Sequence, residues 1–88
     1  MKRARVRITG LVQGVGFRWS LRERARSRGL GGWAANHADG SVEAVLEGED
    51  GDVDSVLDWC SRGPSGAQVD HVETVWEEPR GDQGFHVH

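Results

Sequence analysis

The chain has 88 residues, enough for one compact domain, and at this size the core is modest enough to exclude a deep, multi-part site. Hydrophobic residues make up 36 %, with four tryptophans among them, which excludes a disordered tail. Net charge is −3, yet nine of the eleven lysines and arginines fall in positions 1–28, where Glu23 is the only acid; this first third either attracts an anion such as a phosphate or a nucleic acid, or forms one of two solvated faces whose charges attract across the fold.

Residues 4–11 alternate, with Ala4, Val6 and Ile8 on one side and Arg5, Arg7 and Thr9 on the other, which predicts a strand with one buried face. Gly10, Gly14 and Gly16 then break the pattern and predict a loop. Over 17–28, Phe17, Leu21 and Ala25 recur every four residues among arginines and Glu23, the pattern of an amphipathic helix that Gly29 ends. Residues 31–36 form a weaker strand candidate, and the Asp39-Gly40 pair predicts a hairpin turn. Residues 41–48 alternate again, Val42, Ala44 and Leu46 against Glu43, Val45 and Glu47. Over 50–62, Val53, Val56, Leu57 and Cys60 make one apolar stripe, acids crowd the first turn, and Gly63-Pro64 stops the helix. Residues 68–78 alternate with Val72, Thr74 and Trp76 on one face, Pro79 and Gly81 turn the chain, and Phe85 and Val87 suggest a short last strand.

The order is strand, helix, strand, strand, helix, strand, with a fifth strand at the end. Alternation implies one buried sheet face and one wet face, and two helices on the buried face complete a two-layer α+β sandwich. The order is that of the ferredoxin-like split βαββαβ topology, with an antiparallel sheet of four to five strands. No repeat, linker or low-complexity stretch divides residues 1–88, which read as a single domain. Cys60, the one cysteine, has no internal partner, so a cytoplasmic location is expected. No apolar run reaches membrane-spanning length, and the basic N-terminus lacks the apolar stretch of a signal peptide.

The loop from Gly10 to Arg18 is where chemistry is expected. Its glycines allow tight turns that bring N–H groups close to a ligand, and the following helix start adds unpaired donors and partial positive charge. Arg18 stands at that helix start, so guanidinium and amides together can cradle a phosphoryl dianion. The same residues also suit a tight strand-to-helix turn with a solvent-facing arginine. A P-loop is excluded because no Gly-Lys-Ser/Thr follows, and a dinucleotide fingerprint needs a parallel βαβ setting. In the split topology the first two strands run parallel on either side of the third, so the glycine loop and Asn36 leave the same sheet edge roughly 10 Å apart. Asn36 can orient a water and contact an anion, or simply support the hairpin.

Gly10 to Arg18 matches, at every fixed position, the Gly-x-Val-Gln-Gly-Val-x-Phe-Arg signature of acylphosphatases, and the chain resembles that family along nearly its whole length. Gly32-Trp33-Ala34-Ala35-Asn36 with Asp39-Gly40-Ser41-Val42-Glu43 resembles the family's second block, and Gly48, the helix with Trp59, Gly63-Pro64 and the Val72-to-Pro79 strand resemble later segments. The resemblance implies hydrolysis of acyl phosphates to carboxylate and orthophosphate with no metal and no cofactor. It implies that Arg18 and the backbone N–H groups of Val12, Gln13, Gly14, Val15, Gly16 and Phe17 hold the phosphoryl group. Asn36 would position the water, with a substrate phosphate oxygen accepting its proton. Ala34, Ala35 and His37 depart from the family pattern at the rim and bear on substrate preference.

A small-molecule acyl phosphate is thus the expected partner, with no nucleic acid and no membrane, and the chain is expected to act as a monomer. The alternative is a catalytically silent relative that binds anions or RNA. Such domains also occur inside larger carbamoyl-transfer maturation proteins; presence of both Arg18 and Asn36 favours a free-standing enzyme. RNA binders of this fold stack bases on sheet aromatics, and this chain has no Tyr and two Phe. His86 and His88 share a strand side, but two ligands are too few for a metal site. His37 reads as an exposed hairpin residue, Cys60 as a small core residue, and the four tryptophans as core and half-buried packing.

Overall fold

The computed structural model describes residues 1–88. Its elements follow the expected order: β1 (Lys2–Leu11), α1 (Phe17–Ser27), β2 (Gly31–Asn36), β3 (Val42–Gly48), α2 (Asp50–Cys60), β4 (Gln68–Glu77) and β5 (Phe85–Val87). The sheet order is β4-β1-β3-β2-β5. β3 pairs antiparallel with both β1 and β2, so those two run parallel to each other, and β4 pairs antiparallel with β1. The fifth strand joins β2 in parallel, which makes an otherwise antiparallel sheet mixed. The fold is the expected ferredoxin-like α+β sandwich.

Period decides which side chains meet. Ala4, Val6 and Ile8 of β1 and Val42, Ala44 and Leu46 of β3 are buried against Phe17, Leu21 and Ala25 of α1 and Val53, Val56, Trp59 and Cys60 of α2. These are the residues that alternation and the four-residue spacing place on the inner faces. Phe17 and Trp59 lie in tilted contact, ring centroids 5.3 Å apart, and join the two helices.

The opposite face is drier than alternation implies. Arg3, Val45 and Glu47 point away from the helices and are nonetheless buried. The segment between β4 and β5 folds back over Arg3 and Glu47: the Glu47 carboxylate accepts the N–H groups of Arg80 (2.8 Å), Gly81 (2.6 Å) and Asp82 (3.0 Å). Arg3 sits between Glu47 and Asp82, with Nη1 at 3.0 and 2.7 Å, and donates from Nε to Glu77 at 3.0 Å. The wet face expected from period holds a buried ionic cluster, because a backbone segment supplies the donors that make burial tolerable. The tryptophans also divide: Trp59 is buried, while Trp19 and Trp76 are exposed by about half. Trp76 lies on the edge strand β4, where Lys2 covers its ring at 4.5 Å.

Candidate active site

Gly10 ends the straight part of β1. Its φ of 124° and a β-bulge at Thr9/Gly10 bring it so close to β4 that a Cβ would sit 2.1 Å from the Gln68 carbonyl oxygen, so only glycine fits. Gly14 and Gly16 have φ of 77° and 75°, while Val15 between them does not share the positive sign. This alternation turns successive N–H groups toward one side, the geometry of an anion-binding nest. Gly16 is also the N-cap of α1 and leaves the first turn without a side-chain cap. The first helical N–H to find a main-chain acceptor is that of Ser20, bonded to Gly16 at 3.0 Å. No main-chain hydrogen bond is donated by any amide from Val12 through Trp19. A run of open donors at a helix N-terminus carries partial positive charge with no protein group to satisfy it.

The loop borders a pocket of about 210 Å³ lined by Val12, Gln13, Gly14, Gly16, Phe17, Arg18, Trp19 and Asn36. Of the residues expected at the site, only Val15 is absent from this lining; its side chain packs against the core. Asn36 reaches the pocket as the strand order requires: it ends β2, paired with Val42 of β3, at the same sheet edge that the glycine loop leaves. No Asp or Glu side chain pairs with Arg18, whose Nη1 donates to the main-chain oxygen of His88 at 2.5 Å. The residue that follows β5 therefore holds the guanidinium through a main-chain oxygen.

The hairpin beyond Asn36 is bonded on every side. His37 N–H donates to Ser41 at 2.9 Å, Gly40 N–H to His37 at 3.1 Å, and both the N–H and the hydroxyl of Ser41 donate to Asp39, at 2.9 and 2.6 Å. The Ser41 hydroxyl and then its N–H hold the Asp39 carboxyl below the usual range. His37 is more engaged than an exposed hairpin residue, with Nε2 2.6 Å from Glu43 Oε1. From the glycine loop, Gln13 Nε2 donates to the carbonyls of His37 at 2.7 Å and Ser41 at 2.9 Å.

Two pocket features escaped the sequence reading. Trp19 forms part of the wall, half exposed, with the Arg22 guanidinium 5.1 Å from its ring. Its phase was the available signal: it falls two residues after Phe17, outside the Phe17-Leu21-Ala25 stripe. The side chain of Gln13 had no such signal, because its acceptors lie 24 and 28 residues away.

Fold and pocket together define a ferredoxin-like α+β protein with an amide-lined, arginine-bearing pocket at one edge of its sheet. The chain belongs to the acylphosphatase family, whose model matches residues 4–87. It is similar to an acylphosphatase of Thermococcus kodakarensis, 52 % identical over 85 residues that cover 97 % of this chain and 93 % of that one. The crystal structure of acylphosphatase from Bacillus subtilis superposes with a TM-score of 0.95 at 31 % identity, covering 99 % of this chain and 98 % of the other. The same fold makes up 12 % of the much larger HypF of T. kodakarensis, with a TM-score of 0.86 and 30 % identity over the whole of this chain. The activity is that of an acylphosphatase, a hydrolase acting on small-molecule acyl phosphates. No helix is long and apolar enough to cross a membrane.

Proposed function

We propose that the pocket hydrolyses the carboxyl-phosphate bond with Arg18, Asn36 and the loop amides as the groups that touch substrate and water. The amides of Val12, Gln13, Gly14, Val15, Gly16 and Phe17 and the Arg18 guanidinium hold the phosphoryl oxygens. Asn36 accepts a hydrogen bond from the attacking water and orients it toward phosphorus. The water oxygen bonds to phosphorus as the bond to the acyl oxygen breaks, the carboxylate leaves with the electron pair, and a water proton passes to a phosphate oxygen of the substrate. The products are carboxylate and orthophosphate.

The observation that carries this reading is the unbroken run of undonated amides beside Arg18, opposite Asn36. Donors fixed before the substrate arrives stabilise charge spread over the equatorial oxygens without reorganising. No Asp, Glu or His lines the pocket, which supports a substrate oxygen as the proton acceptor. A carboxylate is a good leaving group, so positioning and charge stabilisation meet the chemical demand.

Hydrolysis of acetyl phosphate, measured with EDTA present, tests the assignment of roles. Arg18→Ala is expected to lose both orthophosphate binding and turnover. Asn36→Ala is expected to keep orthophosphate inhibition while losing most of kcat; near-full turnover in Asn36→Ala would end the water-positioning role.

The same reading takes residues 1–88 as one domain acting as a cytoplasmic monomer without a nucleic-acid partner. A single core cluster and the unpaired, buried Cys60 support it. So do the paired charges Arg3, Arg5, Glu43, Glu47 and Glu77, which occupy the sheet face where an RNA binder presents aromatics.

A further inference from the structure

No main-chain hydrogen bond joins residues 12–16 to residues 36–41. The last rung between β1 and β3 is Ile8 with Val42, and beyond it the glycine loop and the hairpin separate. The ladder carries Asn36 to Val42 and Val42 to Ile8, but the cradle begins at Val12, past that rung, so no β1–β3 rung holds it in register with Asn36. One side chain spans the gap. Gln13 Nε2 has two protons, and both are engaged, toward the carbonyls of His37 and Ser41 at 2.7 and 2.9 Å. Those carbonyls close the turn, since His37 N–H donates to Ser41 and Gly40 N–H to His37. The amide plane of Gln13 is therefore fixed against the rigid base of the hairpin, one residue beyond Asn36.

We propose that Gln13 is a positioning residue for hydrolysis: its side-chain amide sets the distance and angle between the phosphate cradle and the Asn36 carboxamide. This rests on the reading of Asn36 as the group that orients the water. In-line attack requires the water, phosphorus and leaving oxygen to be aligned, and a misplacement of about 1 Å costs about a hundredfold in rate. Gln13 acts at the loop end of that alignment, and Arg18, anchored by His88, holds the other side of the cradle. Removing the amide leaves the open loop donors and Arg18 in place, so phosphate affinity survives while the angle of attack does not.

The test is a double-mutant cycle on acetyl phosphate, with kcat, KM, orthophosphate inhibition and melting temperature measured for Gln13→Ala, Asn36→Ala and the pair. Gln13→Ala is expected to lower kcat by about ten- to a hundredfold. Orthophosphate inhibition should stay within about threefold, because the charge-assisted contacts of the cradle remain. In the Asn36→Ala background the same substitution should change kcat by less than about twofold, since residues acting as one unit are not additive. If alanine lowers the melting temperature below that of the assay, Gln13→Met, which keeps the length without the amide, carries the same expectations. Full kcat in either Gln13 variant would overturn the proposal. So would an equal loss with and without Asn36, or a loss of orthophosphate binding that tracks kcat and marks Gln13 as a direct phosphate contact. Asn36→Ala at full rate would instead overturn the reading of Asn36 itself, which keeps the two failures apart.

Discussion

Arg3 and Glu47 stand directly opposite each other in the β1–β3 register, Nη1 3.0 Å from Oε1, with both side chains about 2 % exposed or less on the face that carries no helix. Two charges leave water there only because each is fully partnered: Arg3 by three carboxylates, Glu47 by Arg3 and three main-chain N–H groups. The pair pins the segment that leads into β5, and the residue after β5, His88, supplies the oxygen that steadies Arg18.

Removing Glu47 leaves Arg3 with Glu77 and Asp82 but takes the acceptor from the N–H groups of Arg80, Gly81 and Asp82. Glu47→Ala is expected to cost about 3 kcal/mol, the scale of hydrogen bonds to a charged group. Urea denaturation of the two proteins measures it, and a loss below about 1 kcal/mol, the scale of an exposed pair, would contradict the buried-cluster account.

Acid should act through the same carboxylates. For Glu47, burial raises the pKa, but the Arg80 N–H, the Arg3 guanidinium and the Gly81 N–H together outweigh it and hold the carboxyl below its usual range. Arg5 and then Arg3 lower that of Glu77. A carboxyl depressed on folding contributes stability that is complete above its unfolded pKa, 4.5 for glutamate, and is lost as pH falls through the folded value. The urea midpoint should therefore drop as pH goes below about 5, and Glu77→Gln should make that slope shallower. A midpoint indifferent to pH from 6 down to about 3 would contradict the assigned partners.

Gly16 lies at φ 75° with open space where a Cβ would go, so a substitution meets backbone strain and nothing else. Gly16→Ala is expected to cost about 1–2 kcal/mol in stability. As the strain relaxes, the neighbouring amides turn, and orthophosphate should bind about ten- to a hundredfold more weakly, the worth of one hydrogen bond to a charged group. Calorimetric titration with orthophosphate reads the second effect independently of the first.

Arg18→Lys keeps the charge and loses the planar fork. The ammonium cannot both donate to His88 and present parallel N–H groups to a phosphoryl group. Acetyl phosphate turnover is expected to fall at least about tenfold with most of the stability retained, and activity within about twofold of the parent would show that point charge alone suffices.

Burial pushes the Cys60 thiol up to about 12. Thiol reagents should leave it unmodified in the folded protein near neutral pH and react quantitatively in denaturant. Mass spectrometry of the native protein after alkylation reads the outcome directly.

The sequence by itself determined the element order, the inner faces of both helices and of β1 and β3, and the meeting of the glycine loop, Arg18 and Asn36 at one sheet edge. Each follows from local rules: period, turn chemistry, and the strand order that a split topology imposes. Only the tertiary structure decided which side chains on the outer face stay dry and what ties the two halves of the pocket together. Arg3 meets Glu47 across 44 residues and Gln13 meets His37 across 24. Such partners leave no local trace, because alternation reports only which way a side chain points, and whether water waits there depends on a distant segment that folds back over it.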